Sequence, residues 1–124
     1  MPTVSICIDV PDLARATAFY RDALGCSLVR EEPTHNTLSA DGVTVYLSLQ
    51  ESGSVATRTA KAVRSYERHW TPVHLDFAVD DVAATVERVL AAGGTQEGEK
   101  SGDWGEAAFC ADPFGNGFCL MRLA

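Results

Sequence analysis

The sequence has no apolar run near the ~20 residues that cross a bilayer as a helix. Its opening, Met1-Pro2-Thr3-Val4, has no basic stretch leading into an apolar one. The first absence argues against a membrane span and the second against a secretory leader. Basic residues are few, 10 against 17 acidic, for a formal net charge of −7. Nucleic-acid binding draws on a basic footprint, so that class is set aside. An acidic surface serves solubility and suits a neutral or cationic small ligand. Only Cys7, Cys26, Cys110 and Cys119 carry thiols, with no C-x-x-C pair and no zinc-ribbon spacing. Three of them fall in apolar strand patterns, where free cysteine behaves as a small hydrophobe. These absences predict a cytoplasmic protein with reduced thiols, bound to neither membrane nor nucleic acid.

What is present suffices for one domain over residues 1–124. With 46 % hydrophobic and 22 % charged content in 124 residues, the chain can bury a core without staples. An internal repeat sets its architecture. Val4-Ser5-Ile6-Cys7-Ile8-Asp9-Val10-Pro11-Asp12-Leu13, continuing to Ala23-Leu24-Gly25, returns 69 residues later as Val73-His74-Leu75-Asp76-Phe77-Ala78-Val79-Asp80-Asp81-Val82, continuing to Gly93-Gly94. At that offset Val10 meets Val79, Asp12 meets Asp81, Ala14 meets Ala83 and Gly25 meets Gly94. Ser5 meets His74, the same strand position filled by different chemistry.

Each copy reads as β-α-β-β-β. In the first, Val4, Ile6, Ile8 and Val10 alternate with Ser5, Cys7 and Asp9, a period-2 strand with one apolar face. Pro11 suits the first helical turn, Leu13, Ala16, Tyr20, Ala23 and Leu24 recur at helical spacing, and Gly25 stops the helix. Strands are expected over Ser27–Glu31, Thr34–Ala40 and Val43–Leu49, the last two joined at Asp41-Gly42, a hairpin signal. In the second copy Leu75, Phe77 and Val79 oppose His74, Asp76 and Ala78. Asp80 is the expected N-cap of a helix buried through Val82, Val86, Val89 and Leu90. A short strand over Thr95–Gly98, a polar loop over Glu99–Gly102, a strand over Trp104–Ala111, a turn at Asp112–Gly117 and a strand over Phe118–Leu123 complete it. Module one thus covers about 1–50 and module two about 72–124. The segment between them, about 51–71, carries Arg58, Lys61, Arg64 and Arg68, and a short helix is expected over Ala56–Tyr66. A connection of that length is either a mobile linker or a cover over a ligand.

Two such modules, with Val10-Pro11-Asp12-Leu13 leading to Phe19-Tyr20-Arg21-Asp22-Ala23-Leu24-Gly25, Val73-His74-Leu75-Asp76 with Val79-Asp80-Asp81, and Asp112-Pro113-Phe114-Gly115-Asn116, resemble the vicinal-oxygen-chelate superfamily. Its members include glyoxalase I, extradiol dioxygenases, and fosfomycin- and bleomycin-resistance proteins. The resemblance covers nearly all of the chain outside 51–70. It implies an α+β fold of two tandem βαβββ modules forming a half-open barrel cleft. The superfamily's metal enzymes place four side chains on the cleft floor, from the first and last strands of each module. By the repeat, and by aligning Gly42 with Gly115, those positions are Ser5, Tyr46, His74 and Cys119.

Metal enzymes of the superfamily hold His, Gln or Glu at most of these positions, and divalent ions in such sites want imidazole and carboxylate. Only His74 is a standard ligand here, so no metal and no other cofactor is expected. The alternative is a two- or three-residue set of His74, Cys119 and Asp76. Strand alternation lines the cleft with Ser5, Cys7, Tyr46, Ser48, His74, Asp76, Cys119 and Met121. Trp104, in a Trp-Gly-Glu similar to bleomycin-resistance proteins, adds an aromatic wall, and Trp70 a second at the mouth. The resemblance then implies a homodimer that binds an aromatic or heterocyclic small molecule without a metal. Two other functions stay open. One is a glyoxalase- or dioxygenase-like lyase or isomerase, with an atypical metal site centred on His74 or with His74 as general base; Asp76 is expected to lie too near along the strand to orient it. The other is a dimeric interaction module with a vestigial cleft.

Overall fold

In the computed structural model, which describes residues 2–59 and 61–124, the two sequence copies fold alike. Met1, in the opening tetrapeptide, and Ala60, inside the Ala56–Tyr66 segment, lie outside the described residues. The first module runs β1 (Ser5–Val10), α1 (Leu13–Asp22), β2 (Ser27–Glu31), β3 (His35–Ala40) and β4 (Val43–Leu49). The second runs β5 (Leu75–Ala78), α2 (Val82–Ala91), β6 (Thr95–Gly102), β7 (Gly105–Ala111) and β8 (Gly117–Leu123). Each module makes a four-stranded sheet, ordered β1-β4-β3-β2 and β5-β8-β7-β6. The first strand of each pairs parallel with the last, and the other neighbours are antiparallel. This is an α+β fold of two βαβββ modules, and neither sheet closes into a barrel. Among the described residues no helix is long and apolar enough to cross a membrane.

The repeat extends to the helix caps. The Asp12 and Asp81 carboxylates accept from the Arg15 and Ala84 amides, each at 3.0 Å. The N-cap of α2 is therefore Asp81 rather than the expected Asp80, because Asp81 is the last extended residue before the helical turn. Pro11 likewise precedes the Asp12 cap instead of entering the first turn of α1. Behind the caps, Ala16, Phe19 and Tyr20 of α1 and Val82, Val86 and Val89 of α2 are buried. They pack on Ile8, Val10, Val45 and Leu47 of the first sheet and Ala108, Phe118 and Leu120 of the second, in one continuous core. Leu90, expected on this stripe, is half exposed beside it.

A buried polar knot ties the modules together. The Tyr20 hydroxyl on α1 donates to Asp112 Oδ2 at 2.6 Å, in the turn between β7 and β8. Asp112 is 2 % exposed and also accepts from the Phe114 amide at 2.8 Å, the Asn116 amide at 3.0 Å and Asn116 Nδ2 at 2.7 Å. Four donors satisfy both oxygens of a desolvated carboxylate. The Arg15 guanidinium adds a contact over the Phe114 ring, 5.5 Å from its centre.

Two further expectations do not hold. The described residues of Ala56–Tyr66 form no helix; Val55 bridges Val63 instead, and Arg64 pulls the segment back on itself. Its Nε donates to Asp9 Oδ2 at 2.7 Å and its Nη1 to the Val55 carbonyl at 2.7 Å. The Tyr66 hydroxyl donates to the Gln50 carbonyl at 2.7 Å, so the connector is docked on the first sheet. The expected polar loop Glu99–Gly102 is strand, continuing β6, with Glu99 opposite Ala108 and Gly102 opposite Gly105. An edge strand needs no apolar face when its ladder is satisfied on one side, and its charges block further pairing.

Candidate functional site

The site is assembled from strand register. β5 and β8 pair Asp76 with Cys119 and Ala78 with Met121. Alternation sends Phe77 and Leu120 into the core, which leaves Asp76 and Cys119 side by side on the opposite, open face. His74, two residues before Asp76, falls on that face. Its Nε2 lies 3.2 Å from Asp76 Oδ1, so the two side chains meet although Asp76 is expected to lie too near along the strand: on one extended face, i and i+2 side chains stand side by side. One donor atom from each of His74, Asp76 and Cys119 lies within 4.8 Å of the others. Burial, and next the Asp76 carboxylate, push the Cys119 thiol up to about 11. It is therefore a proton-bearing group near neutrality rather than a nucleophile.

Aromatic rings frame this cluster. The Trp70 ring stands 5.5 Å from that of His74 and 6.0 Å from that of Phe109, edge to face in both cases. Phe109 is the register partner of Cys119 on β7. Trp70 Nε1 donates to Glu97 Oε1 at 3.2 Å, and Arg68 Nε holds the same oxygen at 2.9 Å. Gly117 is the seat: a Cβ there would fall 2.5 Å from Trp70 Cδ2. The connector's end is thereby built into the site wall. Gly115, at φ +97° with a would-be Cβ 2.5 Å from the Tyr66 carbonyl oxygen, lets the Asp112–Gly117 turn meet that connector.

The remaining site residues are elsewhere. On the first sheet Cys7 pairs with Tyr46 and Asp9 with Ser48, the counterpart of Asp76 with Cys119, as the Gly42–Gly115 alignment implies. Ser5, Cys7 and Tyr46 are therefore the module-one equivalents of His74, Asp76 and Cys119. Among the described residues no hydrogen bond or ion pair joins Ser5 or Tyr46 to His74. A cavity of about 350 Å³ opens beside Cys7 and Asp9 under Arg64, Tyr66 and His69 of the connector. Met121 lies on the second-sheet floor beyond Cys119, half-buried. Trp104 sits at the β6–β7 hairpin over Gly102, away from the cluster's aromatic contacts. A cavity of about 600 Å³ between α2 and β6–β7, lined by Val82, Val86, Glu87 and Lys100, contains none of the expected site residues. Phe109 was legible from β7 alternation once the register with Cys119 was known, but not before it.

The four-position metal set implied by the resemblance does not fit this chain. Ser5 and Tyr46 offer neutral hydroxyls, weak ligands for a divalent ion, from a different sheet. The second module alone does bring together an imidazole, a carboxylate and a thiol.

Residues 5–121 match the family model described as a glyoxalase-like domain. Lactoylglutathione lyase of Haemophilus influenzae is 34 % identical over 112 residues, 86 % of this chain and 81 % of that protein. The fosfomycin resistance protein FosX of Listeria monocytogenes superposes with a TM-score of 0.76 at 19 % identity, over 100 % of this chain and 94 % of its own. A glyoxalase-related enzyme from Fulvimarina pelagi gives 0.75 at 23 % identity, over 98 % of this chain and 88 % of its own. The structural likenesses speak for the fold, and the family match over nearly the whole length decides membership. The chain belongs to the glyoxalase-like domain family, within the vicinal-oxygen-chelate superfamily.

Proposed function

We propose that this chain binds a small aromatic or heterocyclic molecule on the open floor of its second sheet. The observation that carries the reading is the juxtaposition of Trp70 and Phe109 with the His74–Asp76–Cys119 cluster. A few placed polar groups beside apolar rings are what small-molecule sites present. Aromatic faces supply stacking area, while His74 and Asp76 offer a donor and an acceptor. Recognition of this kind needs none of the four-position metal chemistry. Ser5, Cys7, Tyr46, Ser48 and Trp104 take no part in the first contact, and Met121 borders it. The reading includes a homodimer, in which a second copy walls the exposed floor. Sedimentation at twice the 13.3 kDa chain mass supports that element.

A thermal-shift screen of aromatic and heterocyclic compounds tests the proposal, with bleomycin, fosfomycin and lactoylglutathione included because relatives are named for them. A ligand at 100 times its Kd adds about 2.7 kcal/mol to native stability, or about 10 °C for a chain of this size. Trp70→Ala is expected to weaken binding of any hit about 10-fold, the equivalent of one buried aromatic contact. Trp104→Ala is expected to leave it unchanged. Affinity lost in Trp104→Ala and kept in Trp70→Ala contradicts the assignment. Turnover of a hit that vanishes in His74→Ala places the chain among the enzymes instead.

A further inference from the structure

Of the two rings beside His74 on the second floor, Phe109 sits on β7, while Trp70 belongs to the connector and is followed by exposed Thr71, Pro72 and Val73. Its backbone is tied one residue earlier: the His69 amide donates to the Gly115 carbonyl at 3.0 Å, and the His69 carbonyl accepts from the Gly117 amide at 2.9 Å. The side-chain torsions of Trp70 are left to its surroundings. Gly117 shapes one side of the seat. The indole N–H, the only polar group of that side chain, donates to Glu97 Oε1 at 3.2 Å.

Glu97 reaches Trp70 through an irregularity in β6. Gln96 pairs with Cys110 and Gly98 with Phe109, so Glu97 is the extra residue of a bulge. A bulge re-aims the side chain it carries. The first sheet has a bulge at the corresponding place, between Leu28 and Arg30. There the extra residue is Val29, which is 64 % exposed. The backbone device is common to both modules, and the second alone places a carboxylate on it. Arg68 spans this bulge, with Nε 2.9 Å from the same Glu97 oxygen and Nη2 donating to Thr95 Oγ1 at 3.2 Å. The Arg68 and Glu97 side chains are 35 % and 36 % exposed, so the ion pair adds little stability by itself. Its use is geometric.

We propose that Glu97 is the positioning residue of the second floor. It touches no ligand; through its bond to the indole N–H it holds Trp70 in the binding orientation, with Arg68 as its counter-charge. The inference rests on the binding reading above and adds that affinity is set in part from the edge strand β6. A wall in place in a fraction of the molecules lowers apparent affinity by that fraction. Loss of Glu97 therefore costs no more than loss of Trp70 itself.

The unliganded ¹⁵N-labelled chain gives the first test. Its two tryptophans, Trp70 and Trp104, supply two indole N–H signals, and among the described residues only that of Trp70 is hydrogen-bonded. Glu97→Ala is expected to move the Trp70 indole signal and the neighbouring His74 ring signals while leaving Trp104 in place. Glu97→Gln, which keeps a carbonyl acceptor, is expected to restore the Trp70 signal. In unsubstituted protein the Trp70 indole hydrogen exchanges with solvent more slowly than that of Trp104, a comparison that needs no variant. Bleomycin serves as the aromatic probe of affinity. Glu97→Ala is expected to weaken its binding about 3–10-fold, and to add no loss in a chain that already carries Trp70→Ala. If bleomycin does not bind, that failure falls on the binding reading, and the indole signals still decide the role of Glu97. A Trp70 signal unmoved by Glu97→Ala, Glu97→Gln behaving as Glu97→Ala, equal exchange of the two indoles, or a full loss from Glu97→Ala in the Trp70→Ala chain overturns the proposal.

Discussion

Asp112→Ala is expected to destabilise the chain by about 3–5 kcal/mol, because it orphans several buried donors and each unsatisfied one costs about 1–3 kcal/mol. The carboxylate accepts four hydrogen bonds, and its loss strands the Tyr20 hydroxyl, two turn amides and Asn116 Nδ2 in a buried pocket. Each orphaned donor retains its desolvation cost with nothing to offset it. Tyr20→Phe removes one of those donors without burying a new polar group, so its cost is smaller, about 1–3 kcal/mol. Because Tyr20 lies on α1 and Asp112 in the β7–β8 turn, the pair couples the two modules. A double-mutant cycle by urea denaturation should show a coupling of roughly 0.5–3 kcal/mol. Additive losses would mean that the modules do not communicate through this contact.

Cys119 is expected to alkylate slowly near neutral pH. Its pKa is raised from 9.0 to about 11, so the thiolate fraction at pH 8 is about 100-fold lower than for an unperturbed thiol. A thiolate of higher pKa is intrinsically more nucleophilic, which recovers about 10-fold. The net expectation is alkylation about 10-fold slower, and slower still from burial of the sulfur. The sign follows from the raised pKa: the folded chain holds this proton through pH 9, and the rate keeps climbing towards pH 11. Peptide-resolved iodoacetamide kinetics from pH 7 to 11 check this. A plateau near pH 9 would contradict the environment described for Cys119. Burial is the first cause and Asp76 comes after it, so Asp76→Asn should speed alkylation only in part.

The repeat carried most of the fold into view. An offset of 69 residues placed both helices, and aligning Gly42 with Gly115 put Tyr46 opposite Cys119, as the pairing of Cys7 with Tyr46 and Asp76 with Cys119 bears out. What the pattern missed has physical causes. The second half of β6, Glu99–Gly102, escapes notice because every residue from Thr95 to Gly102 except Gly98 is exposed, and an edge strand leaves no alternation to read. The connector's path depends on Arg64 reaching Asp9, 55 residues away in sequence, an interaction with no local signature. Trp70 comes to the site because Gly117 leaves space for its ring; both residues were visible, but their meeting was not. Trp104 drew attention by its neighbours, yet hairpin geometry seats it at the far turn. His74 stood out in the sequence as the imidazole that breaks the symmetry with Ser5.

That asymmetry is the core of the account: the repeat gives two similar floors, and the second sets His74, beside Asp76 and Cys119, where the first has Ser5. The most direct measurement is amide chemical-shift mapping of the ¹⁵N-labelled chain with the strongest hit from the compound screen. The account predicts that perturbations centre on residues 69–78 and 109–121, around Trp70, His74, Asp76, Phe109 and Cys119. Perturbations centred on Ser5–Asp9 and Thr44–Ser48 instead would place binding on the first floor and contradict it.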